Sequence, residues 1–194
     1  MKKQLFLAIG ILTLSSLACS FTVNLPNVDT IPETTAVIDE SVPSGIEDVV
    51  LRLDIGAAEV EIGSGAKDLV NGTVTYNVAG WEPKVNWDGD ELTIKQETQG
   101  IKGLPSTKIT NQWDLQLGGS VPTSLIINAG AYSGKMELGG LPLNSLSIED
   151  GASTNTVQFS SPNEIPMESF TYNTGASTIT LKNLANANFA EMNF

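Results

Sequence analysis

Apolar and polar residues alternate along this chain in short runs that recur in phase. Leu146-Ser147-Ile148-Glu149, Val157-Gln158-Phe159, Ile179-Thr180-Leu181 and Met136-Glu137-Leu138 each set apolar side chains at every second position. That is the period of a strand with one face in a core and the other in water. Gly-Ala pairs punctuate the runs at positions 56, 130, 151 and 175. Leu117-Gly118-Gly119 leads to Leu125 and Ile127 and then to Gly130-Ala131. Leu138-Gly139-Gly140 leads to Leu146 and Ile148 and then to Gly151-Ala152. Phe170 and Leu51 each stand five residues before their own Gly, as Leu125 and Leu146 do.

The last three Gly-Ala pairs are 21 and 24 residues apart, and the polar corner Ser160-Ser161-Pro162-Asn163-Glu164 accounts for the longer step. A period near twenty with in-phase apolar residues signals stacked coils, none of which can bury its own apolar face alone. The expected fold is all-β: a parallel β-solenoid, or β-helix-like stack, over residues 46–194. Each corner Gly is expected to supply a positive φ or a close backbone approach.

Residues 71–112 interrupt the repeat. Thr73–Val78, Lys84–Trp87 and Glu91–Lys95 read as strands, and Asp88-Gly89 reads as the turn of a hairpin. This inserted N-terminal hairpin region is expected to pack across or cap one end of the stack, because an open solenoid end needs covering.

Upstream, Met1-Lys2-Lys3-Gln4 is a basic start, Leu5–Leu14 an apolar run, and Ser15–Ala18 is rich in small residues. Residues 1–18 therefore read as a secretory signal, too short to span a membrane as a helix. Cys19 follows at once and is the single cysteine of the chain, so it cannot form an intrachain disulfide. The segment resembles a bacterial lipoprotein signal, in which cleavage before the Cys leaves a diacylglyceryl thioether. Ser16-Leu17-Ala18 also satisfies the ordinary small-x-small cleavage rule. We expect Cys19 to be lipidated, since a free exported thiol is a liability and two acyl chains anchor stably. Residues 19–45 carry Pro26, Pro32 and Pro43 with Asp29, Glu33, Asp39 and Glu40, and no base. That composition predicts a flexible acidic linker.

The 194 residues include 10 bases and 22 acids, for a net charge of −12. Loss of residues 1–18 would remove Lys2 and Lys3 and no acid, making the remainder more acidic still. A nucleic acid is thereby disfavoured as a partner, and membrane attachment must be covalent or hydrophobic.

Leu53–Val60, Trp81-Glu82-Pro83-Lys84-Val85, Asn111–Leu117 and the later Leu-Pro-Leu and Gly-Ala repeats together resemble the toast-rack domain family. That family is similar to the β-solenoid portion of cell-wall-stress regulators and of adhesin-like lipoproteins. The resemblance covers about Val49 to Phe194. It implies a fold and a bacterial envelope setting rather than a catalytic activity. Leu184–Phe189 matches Leu141–Leu146, so the repeat is expected to continue beyond Phe194.

Chemistry is sparse. There is no histidine, which removes Ser-His and Cys-His nucleophile systems and histidine metal sites. The carboxylate pairs Glu59/Glu61 and Glu149/Asp150 could serve glycan cleavage in principle, but a solvated acidic face explains them better. Trp87-Asp88-Gly89-Asp90-Glu91 lacks the spaced oxygen set of a calcium loop. Gly63-Ser64-Gly65-Ala66-Lys67 lacks the spacing of a phosphate loop. Trp81, Trp87 and Trp113 are candidate glycan-stacking residues if exposed together, and packing of the insertion onto the body is the preferred alternative. The reading that results is a non-enzymatic, lipid-anchored envelope protein with no cofactor or metal. Its solenoid binds or scaffolds an envelope protein or polysaccharide, in stress sensing or as an adhesin-like, glycan-binding surface module.

Overall fold

The computed structural model describes residues 30–97 and 109–194. Among them twelve strands form one mixed sheet that does not close: β1 (Thr30–Glu40), β2 (Val49–Ile55), β3 (Ala58–Ala66), β4 (Val70–Val78), β5 (Pro83–Asp88), β6 (Glu91–Gln96), β7 (Asn111–Gly118), β8 (Thr123–Glu137), β9 (Leu143–Gln158), β10 (Met167–Thr174), β11 (Thr178–Lys182) and β12 (Phe189–Asn193).

The phased repeat becomes parallel, in-register pairing. The first half of β8 lies between β2 and the first half of β9, which continues to β10 and then β12. The second halves continue the same order through β3, β8, β9 and β11. Register aligns Leu92, Leu51, Leu125, Leu146, Phe170 and Met192 in one row, and Ile94, Leu53, Ile127, Ile148 and Tyr172 in the next. All but Met192 are buried. Each fully buried Leu or Ile contributes about 1.5–3 kcal/mol, so these rows hold the strands together. Phe170 meets Phe159 and Phe189 edge-on, with centroids 6.2 Å apart in both pairs.

The Gly-Ala corner of β8 and β9 does not break the strand. Inward residues in β9 are Leu146, Ile148 and Asp150 before the corner, then Ser153, Asn155 and Val157 after it, while Gly151 and Ala152 both face out. The inward parity switches there, and the two halves of the strand form two arms that pair with different neighbours. The corner glycines stack. A Cβ on Gly130 would lie 3.3 Å from the Gly56 carbonyl oxygen, one on Gly151 3.1 Å from that of Gly130, and one on Gly175 would collide with that of Gly151. Close backbone approach is therefore their requirement, since positive φ occurs at other glycines.

Two expectations change. The stack is open, and antiparallel pairing of β1, β4 and β5 makes the sheet mixed rather than a purely parallel coil. Part of the expected flexible linker is strand: β1 runs antiparallel to β4, from Thr34 opposite Tyr76 to Glu40 opposite Val70. It buries Ile38 and leaves Val37 75% exposed, and its edge position tolerates Pro32. The insertion covers one end by adding strands to it. β6 pairs with β2 and β7 with β3, both parallel, so together they add one more coil, to which β5 and β4 pair antiparallel. Cys19 and the proposed signal lie outside the described residues.

Candidate functional site

The arm formed by β6, β2, the first halves of β8 and β9, and β10 presents an open groove of about 720 Å³ just before the corner. Register sets one outward side chain from each strand along it: Lys95, Asp54, Asn128, Glu149 and Asn173. Outward orientation follows from alternation, because Leu53, Ile127, Ile148 and Tyr172 next to them point into the core. Asn128 Nδ2 donates to Asp54 Oδ1 at 2.8 Å. Glu149 and Asn173 are exposed. The row thus places an ammonium, then carboxylate, amide, carboxylate and amide. On the sheet surface nearer the strand starts, Arg52 Nε meets Glu91 Oε1 at 2.8 Å. That hydrogen bond raises the Arg52 pKa and lowers that of Glu91.

The corner beneath the groove is fastened by Asp150. Its Oδ2 accepts from Tyr172 Oη at 2.8 Å, Ser153 Oγ at 2.9 Å and Tyr132 Oη at 3.3 Å. Its Oδ1 accepts from Ser177 Oγ at 3.0 Å and from Thr174 Oγ1. Burial alone would raise the Asp150 pKa, but the hydrogen bonds from Thr174, Tyr172, Ser153 and Ser177 outweigh it and hold the carboxyl below the usual aspartate range. Burial, with the neighbouring Tyr172 and Asp150, raises Tyr132; burial also raises Tyr172. In the added coil, Gln96 and Asn111 serve the corner instead. Gly56 N–H donates to Gln96 Oε1 at 3.0 Å, and Asn111 Nδ2 donates to Gln96 Oε1 at 2.9 Å and to the Ala57 carbonyl at 2.6 Å. The groove therefore lies over a hydrogen-bonded corner and carries a row of polar groups spaced by strand pairing. Such an array suits hydrogen bonding to an extended ligand.

The family model for the N-terminal domain of toast_rack, DUF2154, matches residues 27–182. The chain belongs to the toast-rack family. The match begins upstream of β1, in keeping with β1 as part of the folded unit. A crystal structure from Clostridium sporogenes, provisionally described as that of a cell adhesion protein, shares the fold with a TM-score of 0.69. It is 20% identical, and the alignment covers 77% of this chain and 73% of that one. No curated protein matches.

In this toast-rack domain the three tryptophans do not form a sugar-stacking platform. Trp113 is 1% exposed and Trp81 4%. Trp113 Nε1 donates to Asn111 Oδ1 at 3.1 Å within the core. Trp87 is half-buried, and its Nε1 donates to Glu40 Oε2 at 3.0 Å, which ties the hairpin to β1. Rings that carry the packing of the added strands leave no shared face for a ligand.

Of the carboxylate pairs, the pleat separates Glu149 from Asp150, whereas Glu59 and Glu61 share one outward face. Glu149 is exposed, whereas Asp150, which also lines the groove, is buried with its carboxylate engaged by the corner hydroxyls. Glu59 and Glu61 are exposed on the other arm, where they accept from Gln112 Nε2 at 3.1 Å and Lys135 Nζ at 3.3 Å. Among the described residues no group of three or more His, Cys, Asp or Glu could hold a metal ion, and no helix is long and apolar enough to cross a membrane.

The sequence signal for Asp54, Asn128 and Asn173 is one of spacing rather than of residue type. Each stands two residues before a corner Gly, as Glu149 does. The position two before Gly-Ala is polar in every coil, and in-register stacking gathers those positions into one row.

Proposed function

We propose that this chain is a non-enzymatic, adhesin-like binding module of the bacterial envelope. The single observation that carries the reading is the in-register row Lys95, Asp54, Asn128, Glu149 and Asn173, five strands each giving one outward polar group to one groove. Paired strands fix the backbone spacing of the row before any ligand arrives, so only its side chains remain to be ordered on binding. Membership of the toast-rack family and the adhesion description of the similar Clostridium structure support the same reading. The β-stack is the solenoid-like scaffold that carries the row. Residues 1–18 act as the export signal, and lipid on Cys19 holds the domain at the membrane surface with the groove outside. Occupancy of the groove then reports on the envelope, which is the sensing role the family resemblance implies.

The test uses the full chain in its native envelope with a photo-crosslinking residue in place of Asn173 or, as a control on the other arm, of Thr180. We expect envelope material to be attached from the groove position and little from the control. Equal yields from both positions, or none from the groove, would overturn the reading.

A further inference from the structure

We infer that the groove binds an extended, uncharged, β-1,4-linked polysaccharide laid across the strands, a ligand class that deepens the binding-module reading and rests on it. The row alternates by chemistry as well as by position. Asp54 and Asn128 form one carboxylate–amide pair, and Glu149 and Asn173 form the next. A carboxylate accepts from a hydroxyl while the adjacent amide both donates and accepts, so each pair can bracket a vicinal diol. Lys95 extends the row by one donor.

Spacing fixes the polymer. Neighbouring strands lie about 4.8 Å apart, so the carboxylate–amide unit repeats every ~9.6 Å and the five rungs span ~19 Å. In an extended β-1,4 chain each sugar is flipped relative to the last, so equivalent hydroxyls return every second residue, at close to this repeat. One sugar meets one rung, and one disaccharide meets one carboxylate–amide pair. The match requires the ligand to run perpendicular to the strands. A peptide that extended the sheet would instead pair along an edge.

Charge sets the rest. The row carries two carboxylates against one ammonium within a chain of net charge −12. A polyuronate or a nucleic acid is repelled, whereas neutral hydroxyls are not. The side chains lining the groove include no aromatic ring, so hydrogen bonds repeated along the polymer must supply the affinity, and binding should rise steeply with ligand length.

The test is calorimetric titration of the full chain, held in detergent micelles, with chitohexaose, chitobiose and a β-1,4-linked oligomannuronate. Chitohexaose should bind at least tenfold more tightly than chitobiose, and the oligomannuronate should not compete. Glu149→Ala and Asn173→Ala alter exposed positions, and circular dichroism checks that each stays folded. Each should weaken chitohexaose binding at least fivefold, and Thr180→Ala on the other arm should leave it unchanged. Loss of chitohexaose binding, or binding indifferent to both groove variants, would overturn the inference. If that happens while crosslinks from the groove still reach a protein, the polysaccharide inference fails and the binding-module reading stands. If the groove captures nothing, both fail.

Discussion

Asn128 Nδ2 donates to Asp54 Oδ1 at 2.8 Å, joining two residues 74 positions apart in the chain on adjacent strands. The pair is half-buried in the outward row of the groove, so it trades one solvated hydrogen bond for another and adds little to stability. Asn128→Ala should cost about 0.5–1.5 kcal/mol in urea unfolding while removing an amide that the proposed ligand needs. A loss above ~3 kcal/mol would mean that the pair is chiefly structural.

Asp150 is the opposite case. Asp150→Asn removes the charge that five hydroxyls address and introduces a donor where acceptance is required. The expected cost is about 2–4 kcal/mol at pH 7. Because the folded pKa of Asp150 lies below its unfolded value, the stabilisation is fully present above the unfolded pKa of about 3.9 and is lost as pH falls through the folded pKa. Urea melts of the wild type and of Asp150→Asn should therefore converge as pH is lowered below ~4. A gap that widened on acidification would contradict this account.

The stacked corner glycines make an ordered prediction. Gly130→Ala needs a shift of a few tenths of an ångström from the Gly56 carbonyl, whereas Gly175→Ala meets the Gly151 carbonyl directly. Gly175→Ala should cost about 1–3 kcal/mol and Gly130→Ala less, measured by thermal melting of the two variants side by side. The reverse order would refute the corner geometry.

Trp113 and Trp87 should also separate. Trp113→Ala deletes a fully buried ring and should cost about 3–5 kcal/mol. Trp87→Ala, at a half-buried position, should cost less, and neither change should alter binding in a variant that remains folded. Acrylamide should quench Trp87 fluorescence and leave Trp113 nearly untouched, as read from single-tryptophan variants.

Much of this architecture was legible in the sequence because its information is local and repeated. Leu125, Leu146 and Phe170 each stand five residues before a Gly, and that offset alone places them in one buried row. β1 was hidden because a single residue, Ile38, is deeply buried in it, while prolines and acids gave the segment the composition of a tether. The coil formed by β6 and β7 was hidden for another reason. It has no Gly-Ala corner, and Gln96 with Asn111 supplies the hydrogen bonds that a corner backbone makes elsewhere. The groove was half legible. Glu149 is a candidate by its carboxylate alone, but Asn128 and Asn173 gain meaning only when stacking sets them on adjacent rungs.

Carboxyl footprinting tests the central claim most directly. Intact cells and purified full-length protein would be treated with a carbodiimide and an amine tag, and labelling at each acid read by mass spectrometry. If the groove is the occupied face, Glu149 should be labelled far less in the envelope than in the purified protein, while exposed Glu59 on the other arm is labelled equally in both. Equal labelling of Glu149 in the two preparations, with protection at Glu59 instead, would place the binding face elsewhere and contradict the account.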